Sequence, residues 1–188
     1  MATVERHMNS PAAAWHAEHA YFGKLLHLLQ REVDLFHAGE RPDYELMLDI
    51  ISYLRDFADR SHHPREDVAF ACLAKRRPDL ALVLARLQQE HRVIAHAGES
   101  LRDLLGAILD GTVLERGEVE IAAAMYLVYY GNHIAKEEED IVGQAARLLS
   151  AEDWEAVRAA VPPQRDPLFG EAPDERYRAL RERIAAAN

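Results

Sequence analysis

Two histidine–glutamate pairs in this sequence have a spacing that suits metal binding. His62 precedes Glu66 by four residues, and His133 precedes Glu137 by the same interval. Side chains at positions i and i+4 lie on one face of an α-helix, so an imidazole and a carboxylate in this arrangement can both reach one cation. The question is then whether the helices that carry these pairs bring other ligands to the same place.

Two further histidines interrupt the hydrophobic seams of predicted helices. His19 lies in a seam with 4-3 spacing in the first helix, and His91 lies in a similar seam in the third. The chain also contains an internal repeat, in which each half supplies a Glu-His pair and then a His-x3-Glu pair, at offsets of 72 and 71 residues. The repeat predicts two similar helical hairpins that carry the same polar residues.

Helical periodicity dominates the chain, and strand-like alternation is almost absent. A capping residue followed by proline predicts a helix start at Ser10-Pro11. Further helices should start at Pro42-Asp43 and Pro78-Asp79, and Asp110-Gly111 should end the third helix. Four long helices joined by short turns predict an all-α fold, an antiparallel up-down-up-down four-helix bundle.

The last part of the chain differs from the predicted bundle. After Ser150 a short helix is followed by a proline-containing linker and a final charged helix. We expect this segment to pack on the bundle through Trp154, Leu168 and Phe169. The predicted organisation is therefore a bundle of residues 1–149 and a short helical C-terminal extension of residues 150–188.

The turn positions bring four histidines to one level of the bundle. His19 and His62 lie 21 and 22 residues from the first turn, near residue 40. His91 and His133 each lie 21 residues from the third turn, near residue 112. Because each helical residue adds about 1.5 Å, the four reach the same height. A glutamate buried there without a partner would cost several kcal/mol, which a cation offsets. The sequence predicts a metal site formed by His19, His62, Glu66, His91, His133 and Glu137.

The ligand types restrict the metal. Imidazole and carboxylate without thiolate suit iron, manganese or zinc. Six ligands exceed the four of one tetrahedral zinc ion and suit two ions bridged by Glu66 and Glu137. We interpret the site as a non-haem di-iron centre, oxo- or hydroxo-bridged, with positions open for an exogenous ligand. His63 stays open: it is a ligand if a kink at Pro64 turns it inward, and a flanking residue otherwise.

Composition excludes several other classes. The formal net charge of −10 argues against nucleic-acid binding or a basic membrane-binding face. No apolar run approaches the roughly 20 residues of a membrane span, and the start of the chain lacks a signal-peptide core. Cys72 is the single cysteine, which suits a reducing cytoplasm. No nucleotide-binding glycine loop or nucleophile–base pair is evident, so the sequence does not decide whether the protein is an enzyme.

With these residues in place, the sequence resembles the haemerythrin-like HHE cation-binding domains of bacteria over about residues 11–149. The most specific segments are His-His-Pro-Arg-Glu-Asp at 62–67, Glu-His at 90–91 and the His-x3-Glu-Glu motif at 133–138. The resemblance implies an antiparallel four-helix bundle around a di-iron centre. It also implies that the metal ligands are His19, His62, Glu66, His91, His133 and Glu137.

Two departures from the oxygen-carrying haemerythrins bear on function. Those proteins have a second histidine where this chain has Ala95, and an aspartate five residues after the fourth-helix histidine, where this chain has Glu137 after four. The resemblance therefore favours members linked to nitric oxide, peroxide or iron handling.

We predict a protein that binds, senses or reacts with O2, NO or peroxide. The alternatives are an iron donor or store in iron–sulfur cluster repair or stress response, and a metal-stabilised interaction or sensor module without catalysis. The sequence identifies no protein partner.

Overall fold

The computed structural model describes residues 11–170 and 173–186, and within these ranges the chain forms helices and no strands. The helices begin and end close to the positions that the capping residues and prolines predict. No helix of the described part is both long and apolar enough to cross a membrane. The α-helices are α1 (Pro11–His37), α2 (Tyr44–Tyr53), α3 (His63–Arg76), α4 (Ala81–Leu109), α5 (Arg116–Asp140), α6 (Val142–Leu148), α7 (Ala151–Ala160) and α8 (Arg178–Ala186), with a π-helix at Leu54–His62 and short 3-10 turns at Pro78–Leu80 and Glu175–Tyr177.

The long helices form two antiparallel hairpins. The first joins α1 to the continuous helix made of α2, the π-helix and α3, and the second joins α4 to α5. Each hairpin turn contains a glycine with positive φ, Gly39 (φ 80°) and Gly111 (φ 84°). In each turn the residue after the glycine donates its backbone N–H to the carbonyl five positions back, at 3.0 and 2.8 Å. Glycine permits this helix ending because a Cβ would be strained there. The predicted all-α helical bundle is confirmed.

The buried side chains form two apolar clusters with a polar layer between them. One cluster lies toward the glycine turns and contains Phe22, Tyr53 and Leu101. The other lies toward the opposite end and contains Phe70 and Leu84. All four predicted histidines and both predicted glutamates are buried between these clusters. The bundle therefore holds its ionisable side chains in a layer that apolar packing closes on both sides.

The C-terminal segment contacts the bundle in both clusters. Ser150 and Asp153 form a capping box at the start of α7. The next residue, Trp154, packs edge-to-face on Trp15 with ring centroids 5.1 Å apart. Phe169 stacks on Tyr21 with ring centroids 4.1 Å apart, and Leu168 is buried in the first cluster. The segment thus covers apolar side chains of the bundle that would otherwise face solvent.

Candidate metal centre

The helix that carries the histidine–histidine–proline motif is not a regular α-helix. Residues Leu54–His62 form a π-helix, in which the N–H of His63 bonds to the carbonyl of Ala58, five residues back. Pro64 follows at the start of α3, where it lacks the N–H that an α-helical bond to Arg60 would need. The wider turn of a π-helix separates successive side chains by a smaller angle, so two neighbouring histidines can face the same side. The structure accordingly buries both His62 and His63.

Five histidines meet in the polar layer as two groups that share a carboxylate. Potential ligand atoms of the first group, His19 and His62, lie within 4.8 Å of one another and of Glu66. Potential ligand atoms of the second group, His63, His91 and His133, also lie within 4.8 Å of one another and of Glu66. We call these the first and second histidine groups. Each is a set of the size that binds one metal ion.

Each inner carboxylate spans the two histidine groups. Glu66 Oε1 lies 3.1 Å from His62 Nε2 and 3.3 Å from His19 Nε2, whereas its Oε2 lies 3.5 Å from His91 Nε2. Glu137 has the same orientation. Its Oε2 lies 3.4 Å from a nitrogen of the first group, and its Oε1 lies 3.1 and 3.5 Å from nitrogens of the second. A carboxylate placed in this way can offer one oxygen to each of two ions.

An outer carboxylate lies near the Nδ1 atom of each of the five imidazoles, and four of the five pairs are hydrogen-bonded. Such a partner accepts the Nδ1 proton, fixes the tautomer and leaves Nε2 as the free donor atom. This arrangement is typical of histidines that bind metals. Asp59 approaches His63 without forming a hydrogen bond. The pairs are Glu138 with His19 (2.6 Å), Glu18 with His62, Asp67 with His91 (2.9 Å), Glu90 with His133 (3.2 Å) and Asp59 with His63 (3.2 Å).

Four of these outer pairs follow the internal repeat, so that each pair has a counterpart at the equivalent repeat positions. The glutamate before the first histidine of each hairpin, Glu18 or Glu90, contacts the second histidine of its own hairpin. The acidic residue after each inner glutamate, Asp67 or Glu138, contacts the first histidine of the other hairpin. Two of the outer contacts therefore hold each hairpin together, and the other two link the hairpins to each other.

The fifth pair breaks the symmetry. The positions 71 residues after Asp59 and His63 are Tyr130 and Ile134, which offer no imidazole or carboxylate. The hydroxyl of Tyr130 is buried and has no hydrogen-bond partner among the described residues. One histidine group therefore has three imidazoles and the other has two.

The charges of the centre are mutually dependent. Burial opposes ionisation of Glu66, but the His62 imidazole and the other histidines around it hold its pKa well below its usual range. Burial alone would lower the pKa of His62, and the Glu66 and Glu18 carboxylates instead raise it to about 9. The pKa of His91 rises to about 11 because its hydrogen bond to Asp67 and the nearby inner carboxylates outweigh burial. Protons on these histidines balance the inner carboxylates, and a bound cation would take their place.

The unpaired atoms of the layer fit cations. In the described part of the chain, buried Glu66 Oε2, both carboxylate oxygens of Glu137, His91 Nε2 and His133 Nε2 have no hydrogen-bond partner. Moreover, the Nε2 atoms of His19 and His62 lie only 2.9 Å apart. Both rings direct Nδ1 to a carboxylate, so their Nε2 lone pairs would repel unless a proton or a metal ion lay between them. The donor set therefore suits metal ions.

The structure brings all six sequence-predicted ligands together and places two further residues, His63 and Glu138, beside them. His63, which the sequence left open, is buried and stacks on His91 with ring centroids 4.3 Å apart. Burial and the neighbouring histidines hold its pKa well below the usual range, which favours the neutral imidazole that binds metals. Glu138, the last residue of the His-x3-Glu-Glu motif, contacts both His19 and His16. The repeat is the signal that identifies Glu138, because it matches Asp67.

Comparison with known families agrees with this geometry. A family model described as "Hemerythrin HHE cation binding domain" matches residues 10–145, which is more than two thirds of the chain. A search of curated proteins found no match. The matched range includes every residue of the two histidine groups and both inner carboxylates, so the resemblance inferred from the motifs is confirmed. The chain belongs to the haemerythrin HHE cation-binding domain family.

Proposed function

We propose that this protein holds two iron ions in the polar layer and uses them to bind, sense or react with a small ligand, namely O2, NO or peroxide. The observation that carries the proposal is the orientation of Glu66 and Glu137. Each directs one oxygen toward the first histidine group and the other toward the second.

The number of donors supports two ions rather than one. Five imidazoles and two carboxylates exceed the needs of any single ion that prefers four ligands. Nitrogen and carboxylate oxygen without thiolate is a donor set that suits iron. His19, His62, His63, His91 and His133 would hold the ions, and Glu66 and Glu137 would be shared between them.

The unequal histidine groups indicate where a small ligand would bind. The second group supplies three imidazoles, and the first supplies only His19 and His62. With both inner carboxylates shared, an ion on the side of the first group would have fewer protein ligands. An exchangeable position would therefore lie on that side.

Bound iron would supply one-electron redox changes and a Lewis-acidic position for the ligand. The protein side chains control access and protons around it. Phe22 lies edge-on against His62 with ring centroids 5.0 Å apart, and Phe70 stacks on His91 at 6.0 Å. These rings exclude bulk water, while the outer carboxylates hold the Nδ1 protons and keep Nε2 directed inward.

The test is the metal content and absorption spectrum of the protein purified without added metal, before and after anaerobic loading with iron. We expect two irons per chain and a spectrum that changes when O2, NO or peroxide is added to the reduced protein. Failure to retain iron after loading would refute the metal site. Two bound irons with a spectrum unchanged by all three additions would refute the ligand-binding role and favour a metal that only stabilises the bundle.

Retention against chelators separates the proposal from iron donation. All the donor residues are buried, and each imidazole has an outer carboxylate behind it. We expect slow release of iron to a competing chelator. Rapid and complete release under native conditions would favour an iron donor.

A further inference from the structure

The outer face of α5 is unusual for a helix at a protein surface. Residues 121–135 contain no charged side chain, although this helix buries only one side against the centre. Surface helices ordinarily carry charged residues on the side away from the core. Here the exposed side presents Ile121 (63% exposed), Met125 (47%), Val128 (59%) and Tyr129 (43%).

Two grooves between α4 and α5 extend this apolar face. The first, of about 720 Å³, lies toward the glycine turn and is lined by apolar side chains that include Val93, Leu104 and Ile121. The second, of about 340 Å³, lies toward the other end and includes Val83, Leu87 and Tyr129. Met125 lines the first groove and Tyr129 the second, one turn apart. The apolar face therefore continues from one groove to the other.

The side chains that line the two grooves differ in the sign of their net charge, although Arg86 in the second groove pairs with Glu90 at 2.8 Å. Asp103 and Glu118 line the first groove. Arg86 and Lys136 line the second, together with Glu90. Glu118 lies nine residues before Leu127 on α5, and Lys136 lies nine residues after it. Eighteen residues are five helical turns, so these two charges project from the same side of α5.

We propose that two copies of this chain associate through the face formed by α4 and α5, with their α5 helices antiparallel about a two-fold axis at the level of Leu127. This symmetry places the acidic first groove of one copy against the basic second groove of the other. Glu118 of each copy then lies beside Lys136 of its partner, and a parallel arrangement would instead oppose like charges. An isologous contact of this kind is the usual route to a homodimer.

The apolar side chains on α5 can contribute area to a dimer interface. Four of them are each at least 43% exposed. A standard interface buries about 800 Å² on each partner. The groove-lining residues of α4 supply additional area beside α5. Lys136 also pairs with Asp140 at 2.5 Å within its own chain, and in the dimer it would lie between both acidic groups.

The test is sedimentation velocity of the iron-loaded protein from micromolar to submillimolar concentration. We expect a concentration-dependent dimer, and we expect Met125→Glu to raise the dimer dissociation constant by more than about tenfold, because it buries a charge in the interface. Val113→Glu adds the same charge at a side chain that is 96% exposed and lies outside both grooves, so it should leave the dimer intact. Equal iron content in all variants would show that the bundle is folded.

A charge reversal tests the antiparallel arrangement itself. Glu118→Lys and Lys136→Glu should each weaken the dimer, and the double variant should recover most of the wild-type affinity. A wild-type monomer at every concentration would overturn the proposal, as would a dimer that Met125→Glu leaves intact. A double variant no tighter than the single variants would overturn the antiparallel register.

Discussion

Glu66→Gln is the most informative change at the candidate centre. The substitution keeps the size and shape of the side chain but removes its charge. Glu66 is 1% exposed and belongs to both clusters of potential ligands. Its Oε1 faces the first histidine group and its Oε2 faces His91 of the second. If the proposed sharing is correct, one substitution weakens the binding of both ions.

The size of the effect follows from the charge that Glu66 shares between the ions. A shared carboxylate presents about half a negative charge to each doubly charged ion, which is equivalent to a pair of unit charges. Two unit charges about 4 Å apart interact by about 4 kcal/mol at an effective dielectric constant near 20. Since about 1.4 kcal/mol corresponds to a factor of ten, this is roughly a thousandfold in affinity. An amide oxygen remains as a weaker ligand, so we expect a loss of between about 100-fold and 1000-fold at each ion.

The assay is an anaerobic titration with Fe²⁺ in competition with a coloured chelator, with circular dichroism to verify helical content. We expect both ions to be lost from Glu66→Gln while the helices remain. Glu139→Gln provides the matched control, because Glu139 is exposed and lies close to Glu137 in the sequence. Wild-type affinity at both ions, or a loss confined to one, would refute the shared role of Glu66.

Three further substitutions test separate parts of the structure. His63→Ala should lower the affinity for one ion and leave the affinity for the other unchanged, because His63 belongs only to the second histidine group. Unchanged affinities for both ions in the same titration would contradict this prediction. Glu138→Gln should lower iron affinity by about 10- to 100-fold by releasing the Nδ1 proton of His19, the usual effect of losing an outer partner. An unaltered iron affinity would show that Glu138 does not support metal binding. Trp154→Ala should destabilise the metal-free protein by about 3–5 kcal/mol in denaturant unfolding, since its ring packs on Trp15. A change below about 1 kcal/mol would contradict the proposed packing of the extension.

Sequence reasoning succeeded where the signal is local or periodic. The seam positions of His19 and His91 and the i, i+4 spacing of the two histidine–glutamate pairs define helix faces directly. The helix rise and the positions of the turns then predict their common height. The helical bundle and the family were predicted from these features and are confirmed. The roles of the six residues as metal ligands remain predictions that the titrations above test.

The outer carboxylates were harder to predict from the sequence, because four of the five contact a histidine on a different helix. Glu138 is 119 residues from His19 in the sequence, and Glu18 is 44 residues from His62. No periodicity within one helix indicates such a pair. The internal repeat could have identified four of the five pairs, because a contact in one half implies its counterpart in the other.

The sequence by itself therefore determined the helices, the height of the polar layer and the chemistry of its donors, since all three depend on spacing along single helices. The tertiary structure alone decided the asymmetry of the centre. Neighbouring residues such as His62 and His63 point in different directions on a regular α-helix, and both turn inward here because the helix before Pro64 widens into a π-helix. Which turn widens depends on how the whole helix packs against its neighbours. That packing gives one histidine group its third imidazole.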